Sequence, residues 1–507
     1  MLLCRRDAFL KSLAFLILAA LLVIVLWPAF RLPGQQEDEG ITLVYPEMFS
    51  KGRLPYRDFE SVYGPGNLLI LSGVYSLFGE GVFVERTVGL IYRLLILLGI
   101  FGVAQRWGTV LGAICGFLAV MLLGVTEVWA NTWFAGLAFA LCALWVLAGI
   151  ESRVRCLAGG VLGGVALSCR CDFALALAVA LLPLFAGMQR KNKKWFLIGG
   201  VAGLLPIMYF AVAVGPMQLA ESLFVLPVIR IGPRGHLPIS SAPAEIVWVF
   251  CFYLVASAAN IAAAFYYLRE FHSERGRSFL GVALLGLGLI HYPLSRFDSG
   301  HVMNAALVSF MLLPLSFSVF VSTRADRLSR WSKAVGILAV LVIAVALLNL
   351  RPVEEGIFIK QNGRSFPLAK NQLPQAADQV VAELQRVSVA GQLLLVGPAD
   401  LRRTRYCDTW IYHLFPQLLP ASYFLQMDAG AANAPGSRLA GDVARADWLV
   451  LNRAWDFLYE PNLSAEFGPD EPNQVVREKF DLWKDYGPYL LFRNKRLRNL
   501  VQQPQVE

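Results

Sequence analysis

Apolar runs, each near bilayer length, alternate with short polar breaks along the first 350 residues. A helix needs about 20 mostly apolar residues to cross the hydrocarbon of a bilayer. On that rule the pattern predicts eleven spans, at roughly 10–30, 81–104, 108–125, 129–149, 156–171, 173–188, 195–214, 245–268, 278–294, 301–321 and 333–350. The run from Leu10 to Phe30 exceeds the apolar core of a secretory leader, and no small-x-small cleavage site follows it. It reads as a retained first span. After Leu350 the pattern becomes that of a water-soluble chain. Leu393–Val396, Tyr423–Met427, Trp448–Leu451 and Tyr489–Phe492 read as strands, and Ser437–Arg445 and Asn473–Phe480 as helices. The expectation is a transmembrane domain over 1–350 followed by an α/β domain over 351–507 with a mainly parallel sheet.

Composition agrees with a membrane protein. Of 507 residues, 57% are hydrophobic and 16% charged, against roughly half and a quarter in soluble proteins. The net charge of +9 resides largely in alternate loops, so it points to sidedness and away from nucleic acid. With the N-terminus cytoplasmic, the inner loops hold Arg5, Arg6 and Lys11, then Arg106, Arg153 and Arg155, Arg190 to Lys194, Arg269 to Arg277, and Arg324 to Lys333. The short outer loops are poor in Lys and Arg. This orientation, in a bacterial cytoplasmic membrane, puts the α/β domain outside the cytoplasm. The eight cysteines show neither a disulfide framework nor paired metal motifs.

Sidedness gathers the unusual polar residues at one end. Asp38, Glu39, Asp58 and Glu60 follow the first span, within an outer loop over 31–80. Arg170 and Asp172, then Arg230, Arg234 and His236, then Arg296, Asp298 and His301 occupy later outer loops. Charges near hydrocarbon are costly unless paired or facing a wet cavity, and one outer cavity would accommodate them all. A carboxylate there can take a proton from an attacking hydroxyl. Arginines can hold a phosphate with forked hydrogen bonds. Tyr45, Tyr56, Phe59 and Tyr63 can stack on a sugar ring. Sugar nucleotides are not expected outside a bacterial cytoplasm, so an outward site favours a lipid-carried donor.

Asp38-Glu39 after a first span, then Pro55-Tyr56-Arg57-Asp58, Tyr63-Gly-Pro65, Leu77-Phe78-Gly79 and Arg86, resembles the first outer loop of the GT-C glycosyltransferases. The superfamily includes protein O-mannosyltransferases and lipid A aminoarabinose transferases. The branch for galacturonic-acid transfer to the lipopolysaccharide core looks most similar. Arg296-Phe-Asp298-Ser-Gly-His301 is similar to an Arg-x-Asp-x-x-His element of bacterial members. The resemblance covers about residues 10–350. It implies an inverting transfer from a polyprenyl-phosphate sugar to an envelope acceptor, with Asp38 or Glu39 as base. It also implies two short surface helices, over 40–51 and 66–79, and arginines that bind the departing phosphate. Tyr56, Arg57, Asp58, Tyr63, Arg230, Arg234, Arg296, Asp298 and His301 are the expected donor or acceptor contacts. Some relatives use a divalent ion, for which Asp38, Glu39, Asp298 and His301 would be ligands if they converge; no other cofactor is implied.

Each of these residues also has a plainer reading. Asp38 and Glu39 suit the first turn of a helix, and Asp298 suits a cap. Asp58 suits a turn. Arg170 and Asp172 can pair with each other, and Arg230 and Arg234 can anchor to lipid headgroups. Arg93, inside the second span, is expected to face the bundle interior, and Arg86 to position its neighbours. His291 reads as a packed histidine, and Arg402, Arg403 and Arg405 as a solvated or acceptor-docking face. Two other functions stay open at this point: a transporter or flippase of lipid-linked sugar, and a non-catalytic envelope scaffold.

Overall fold

The computed structural model describes residues 2–271, 274–322 and 354–501. Helix α1 (Leu2–Leu26) leads to two short helices, α2 (Asp38–Ser50) and α3 (Pro65–Phe78), at the places expected for the surface pair. Then follow α4 (Val82–Ala104), α5 (Thr109–Gly124), α6 (Thr132–Leu147), α7 (Arg153–Cys169), α8 (Ala174–Gly187), α9 (Arg190–Gly203) and α10 (Leu205–Val214). Beyond a helical stretch at Pro216–Gly235 come helices Ala244–Phe271, Glu274–Gly288, His291–Ser295, Ser299–Met311 and Leu313–Ser322.

These helices occupy the predicted positions, but the described residues do not confirm eleven spans. Among the described residues five helices are long and apolar enough to cross a membrane, or six if the bent pair α9–α10 is one span. The pair bends by 45° at Leu204, where Pro206 follows in the first turn of α10. Helices α5 and α6 have 16 residues each, which at about 1.5 Å per residue is roughly 24 Å, short of the hydrocarbon thickness. The predicted span 333–350, with Arg324, Arg327, Arg330 and Lys333, lies outside the described residues.

In lipid there is little hydrophobic drive between helices, so close backbone approach holds them together. The seam between α7 and α9 shows this. A Cβ on Gly160 would lie 2.1 Å from the Phe196 carbonyl, and one on Gly199 would lie 2.1 Å from that of Leu157. Only glycine permits the contact, which fixes Arg170 at the end of α7. Exposed apolar side chains such as Val212, Leu175 and Val255 form the face suited to lipid tails.

The C-terminal region holds an antiparallel hairpin, β1 (Ile357–Gln361) with β2 (Arg364–Leu368), and a five-stranded sheet. The sheet strands are β3 (Leu393–Pro398), β4 (Leu419–Pro420), β5 (Trp448–Asn452), β6 (Phe480–Asp485) and β7 (Tyr489–Asn494), in the order β4-β3-β5-β7-β6. Helices Leu439–Arg445 and Glu471–Lys479 match the expected pair, and Pro374–Val387 adds another. The sheet is mixed, not mainly parallel. β3 pairs in parallel with β4 and β5, while β7 runs antiparallel to both β5 and β6. The tight turn at Gly487, with φ +82°, makes β6 and β7 a hairpin and forces that reversal. Tyr423–Met427 is not a strand. Its backbone is taken by side chains: Tyr423 N donates to Asp442, and the Leu425 carbonyl accepts from Thr409. Met427 at φ 57° ends any extended run.

The C-terminal region shares a core with α2. Leu43, Val44 and Met48 are buried with Phe366, Val380, Trp410 and Leu414. Arg364 on β2 donates to Glu47 of α2 at 2.6 Å and also pairs with Glu80. The acid-bearing end of α2 therefore lies between the helical bundle and the sheet domain.

Candidate functional site

The two adjacent acids have opposite surroundings. Glu39 is fully buried and gripped by Arg86, whose Nε and Nη2 donate to its two oxygens at 2.7 and 2.9 Å. Through Nη1, Arg86 also donates to the carbonyls of Ala29, Phe30 and Leu32 at 2.9–3.0 Å. This pair ties the end of α1 to the start of α2 and leaves Glu39 no free lone-pair face. Asp38 is half-buried, and its carboxylate makes no hydrogen bond among the described residues. Burial, then the nearby charge of Glu127, pushes the Asp38 carboxyl up to about 6, against the opposing pull of His301, Arg296 and Arg170.

Those three basic side chains come from two parts of the bundle. Arg170 follows α7 and forms a bidentate pair with Asp172 at 2.8 and 2.6 Å. Its guanidinium also lies over the rings of Tyr63 and Tyr292, at 5.7 and 5.4 Å. Asp172 is in turn 3.4 Å from His291. Asp298 caps the helix Ser299–Met311: its Oδ1 accepts from the His301 backbone N and contacts His301 Nδ1, both at 2.9 Å. Its Oδ2 accepts from Arg296 at 2.8 Å. The His301 ring rests on Tyr292 with centroids 4.1 Å apart. Burial pushes the Asp298 carboxyl up, but His301 and Arg296 hold it well below the usual range. Asp298 is thus both a helix cap and the hinge of the Arg-x-Asp-x-x-His element.

The loop carrying Asp38 is held from the sheet domain. Gln36 Nε2 donates to Asp408 at 2.6 Å, Cys407 N to Glu37 at 3.0 Å, and Trp410 N to the Gln36 carbonyl at 3.1 Å. Asp408 accepts also from Asn452, Trp410 and Trp455, at 2.7, 3.0 and 2.9 Å. A Cβ on Gly40 would lie 2.7 Å from Trp410 N, so close docking requires glycine there. On the bundle side, Arg93 donates to the carbonyls of Gly89 and Trp129 at 2.9 Å and to that of Glu127. It pairs with backbone, not with an acid, and so fixes the loop that brings Glu127 near Asp38. Deeper in, Glu37, Glu60 and Asp428 are acids whose carboxyls burial pushes up, Asp428 to about 7 with the charge of Asp38 adding to it.

Several expected contacts are placed elsewhere. Tyr56 is buried with φ 68°, edge-on to Phe210, and donates to the Tyr63 carbonyl at 2.8 Å. Arg57 and Asp58 pair with each other at 2.8–2.9 Å in an exposed turn closed by Leu54 N. Arg230 pairs with Glu221 at 2.7 Å, and Arg234 lies against Gly430 of the sheet domain. None of these five supplies a hydrogen bond or ion pair to the Asp38 cluster. Nor do Asp38, Glu39, Asp298 and His301 form a metal set: among the described residues no three His, Cys, Asp or Glu side chains converge to hold an ion. Glu39 is turned into its pair with Arg86, which removes it from any such group.

Sequence reasoning missed Tyr292, Tyr406, Glu127 and Glu460. Glu127 lies in the short break between two predicted spans, two residues before Trp129, and Tyr292 lies near the end of the predicted span 278–294, four residues before Arg296, so both had a local signal. Tyr406 and Glu460 had none, because only folding of the sheet domain brings them to Arg296.

No family model and no curated protein sequence matches the chain. Its fold is found in solved structures of ArnT from Cupriavidus metallidurans. ArnT bound to undecaprenyl phosphate matches with a TM-score of 0.56 at 14% identity, over 94% of this chain and 97% of that one. The apo state matches with a TM-score of 0.55 at the same identity and coverage. The likeness in fold spans the sheet domain as well as the helical bundle.

Proposed function

We propose that the protein is a membrane glycosyltransferase that moves a sugar from a polyprenyl-phosphate carrier to a hydroxyl of an envelope glycan, lipid or protein. Asp38 carries this reading. It is a half-buried carboxylate free of hydrogen bonds, raised toward neutrality, beside Arg170, Arg296 and His301. The fold is one that has been solved with undecaprenyl phosphate bound.

In the proposed step Asp38 takes the proton from the acceptor hydroxyl. That oxygen attacks the anomeric carbon on the face opposite the phosphate. The carbon–oxygen bond to the phosphate breaks, its electron pair leaves with polyprenyl phosphate, and configuration inverts. A base works best when its pKa lies near the working pH, which the environment of Asp38 favours. Arg170 and Arg296 stabilise the negative charge on the departing phosphate. Tyr63, Tyr292, Asp298 and His301 frame the sugar and hold these groups in place. Glu39 is a positioning residue that acts through Arg86. Tyr56, Arg57, Asp58, Arg230 and Arg234 take structural parts. The N-terminus is cytoplasmic and the sheet domain lies outside, in a bacterial cytoplasmic membrane, as the Lys and Arg of the loops favour.

The test is transfer by purified Asp38→Asn protein supplied with native lipid-linked sugars. Loss of transfer with the fold intact supports the assignment; full transfer rates refute it.

A further inference from the structure

Arg296 has no free N–H. Its Nε donates to Asp298, Nη1 donates to Glu460 at 3.2 Å and to the Gly235 carbonyl at 3.1 Å, and Nη2 contacts Glu460 and the Tyr406 hydroxyl. A phosphate can reach this guanidinium only if Glu460 leaves. Glu460 itself sits in a ring of donors. Tyr406 Oη donates to its Oε1 at 3.2 Å, and Asn462 Nδ2 to its Oε2 at 3.0 Å. Arg405, with only 1% of its side chain exposed, lies 3.4 Å from the same oxygen through Nη2. The Nε of Arg405 has no partner, and its Nη1 is tied to the Leu458 carbonyl.

Two guanidinium groups, a phenol and an amide thus converge on one carboxylate. Arg296 supplies two of the four hydrogen-bond donors, which already fill the roughly four lone-pair positions of a carboxylate and leave Nη2 of Arg405, like its Nε, without a hydrogen-bond partner. A phosphate monoester offers three acceptor oxygens and nearly twice the charge. The segment bearing Glu460 is irregular, and its neighbours Phe457 and Tyr459 are 84% and 74% exposed, so little packing holds it in.

We propose that Arg296, Arg405, Tyr406 and Asn462 form a phosphate clamp between the helical bundle and the sheet domain. Glu460 fills it as a resident anion until a phosphate displaces it. Arg405, from the sheet domain, is then a binding residue and not part of a solvated face. The inference rests on the glycosyltransferase reading only for the identity of the phosphate as that of the lipid carrier.

The experiment measures binding to full-length protein in nanodiscs for three probes: undecaprenyl phosphate, phosphate-free undecaprenol and inorganic phosphate. Glu460→Ala is expected to tighten undecaprenyl phosphate about tenfold or more, by removing the competing charge. Arg405→Ala is expected to weaken it comparably, with Arg405→Lys partly restoring it. Undecaprenol binding should move with neither change. Inorganic phosphate competing at equal strength would support the clamp and identify a free phosphate as its ligand. Unchanged or weaker undecaprenyl phosphate binding by Glu460→Ala overturns the proposal, as does an equal change for undecaprenol. Because Glu460 is near the surface, this arm holds even if an Arg405 variant fails to fold. A Glu460→Ala gain in a protein that transfers no sugar would keep the clamp and refute the enzymatic reading. Transfer lost in Asp38→Asn, with no Glu460→Ala effect, would do the reverse.

Discussion

In the proposed transfer two neighbouring carboxylates would divide the labour between chemistry and structure, because successive residues of a helix point about 100° apart. Asp38 lies within electrostatic reach of Arg170, Arg296 and His301, while Glu39 is paired with Arg86. Asp38→Asn should cut the transfer rate by about 10²–10⁴-fold, as loss of a general base does. Glu39→Gln should instead lower stability by about 3–5 kcal/mol, because it leaves the Arg86 charge buried without its partner. Rate and thermal unfolding measured on both variants check this division. The pH dependence has a definite sign. Deprotonated Asp38 is the active form, so kcat/KM should rise with pH through about 6 and level off above it. Stability runs the other way. A carboxyl raised from 3.8 to about 6 favours the folded state when protonated, so its contribution is lost as pH climbs between those values. Asp38→Asn should therefore unfold at a higher temperature than the parent at pH 7, and the gap should close at pH 4. The sequence displayed the acidic pair but not the helix phase that separates its members. Asp298 was legible as a helix cap, and it is one; its place in the site belongs to the proposal.

At the scale of elements, α2 is the joint between bundle and sheet. Its first turn carries the acids, and its middle is packed into the sheet domain. Gly40→Ala pushes a methyl against the Trp410 backbone and should cost about 1–3 kcal/mol of stability. It should also depress transfer, since residues 407–410 hold the Asp38 loop; activity and thermal melts on the one variant check both effects. The paired short helices and most apolar helices, though not their number as full spans, were readable because apolar periodicity and Gly-Pro punctuation are local signals. The β1–β2 hairpin was readable too, at Asn362-Gly363 with φ 52° and 74°, but was passed over. Tyr423–Met427 misled because its apolar run resembles a strand, whereas side chains claim its backbone hydrogen bonds.

For the whole molecule, the sheet domain closes the site over the bundle, supplying Tyr406 and Glu460 and bracing the loop before Asp38. Removing residues 351–507 should therefore abolish transfer and not merely change the acceptor; a truncated protein with normal rates would oppose this. Sidedness has its own check in spheroplasts. A Phe457→Cys side chain should react with a membrane-impermeant maleimide, while Lys191→Cys should react only after permeabilisation. Charge asymmetry of loops gives the sequence a proposal for orientation, whereas contacts between residues far apart in the chain, such as Arg296 to Glu460, leave no local trace. The account stands or falls on what Asp38 does to a lipid-linked sugar. Native mass spectrometry of lipids retained by wild type and Asp38→Asn, purified from the same membranes with acceptor present, addresses this directly. If Asp38 is the base, the wild type carries polyprenyl phosphate and the variant traps the intact polyprenyl-phosphate sugar. The same sugar-free lipid on both, or no polyprenyl-phosphate species on either, would contradict it.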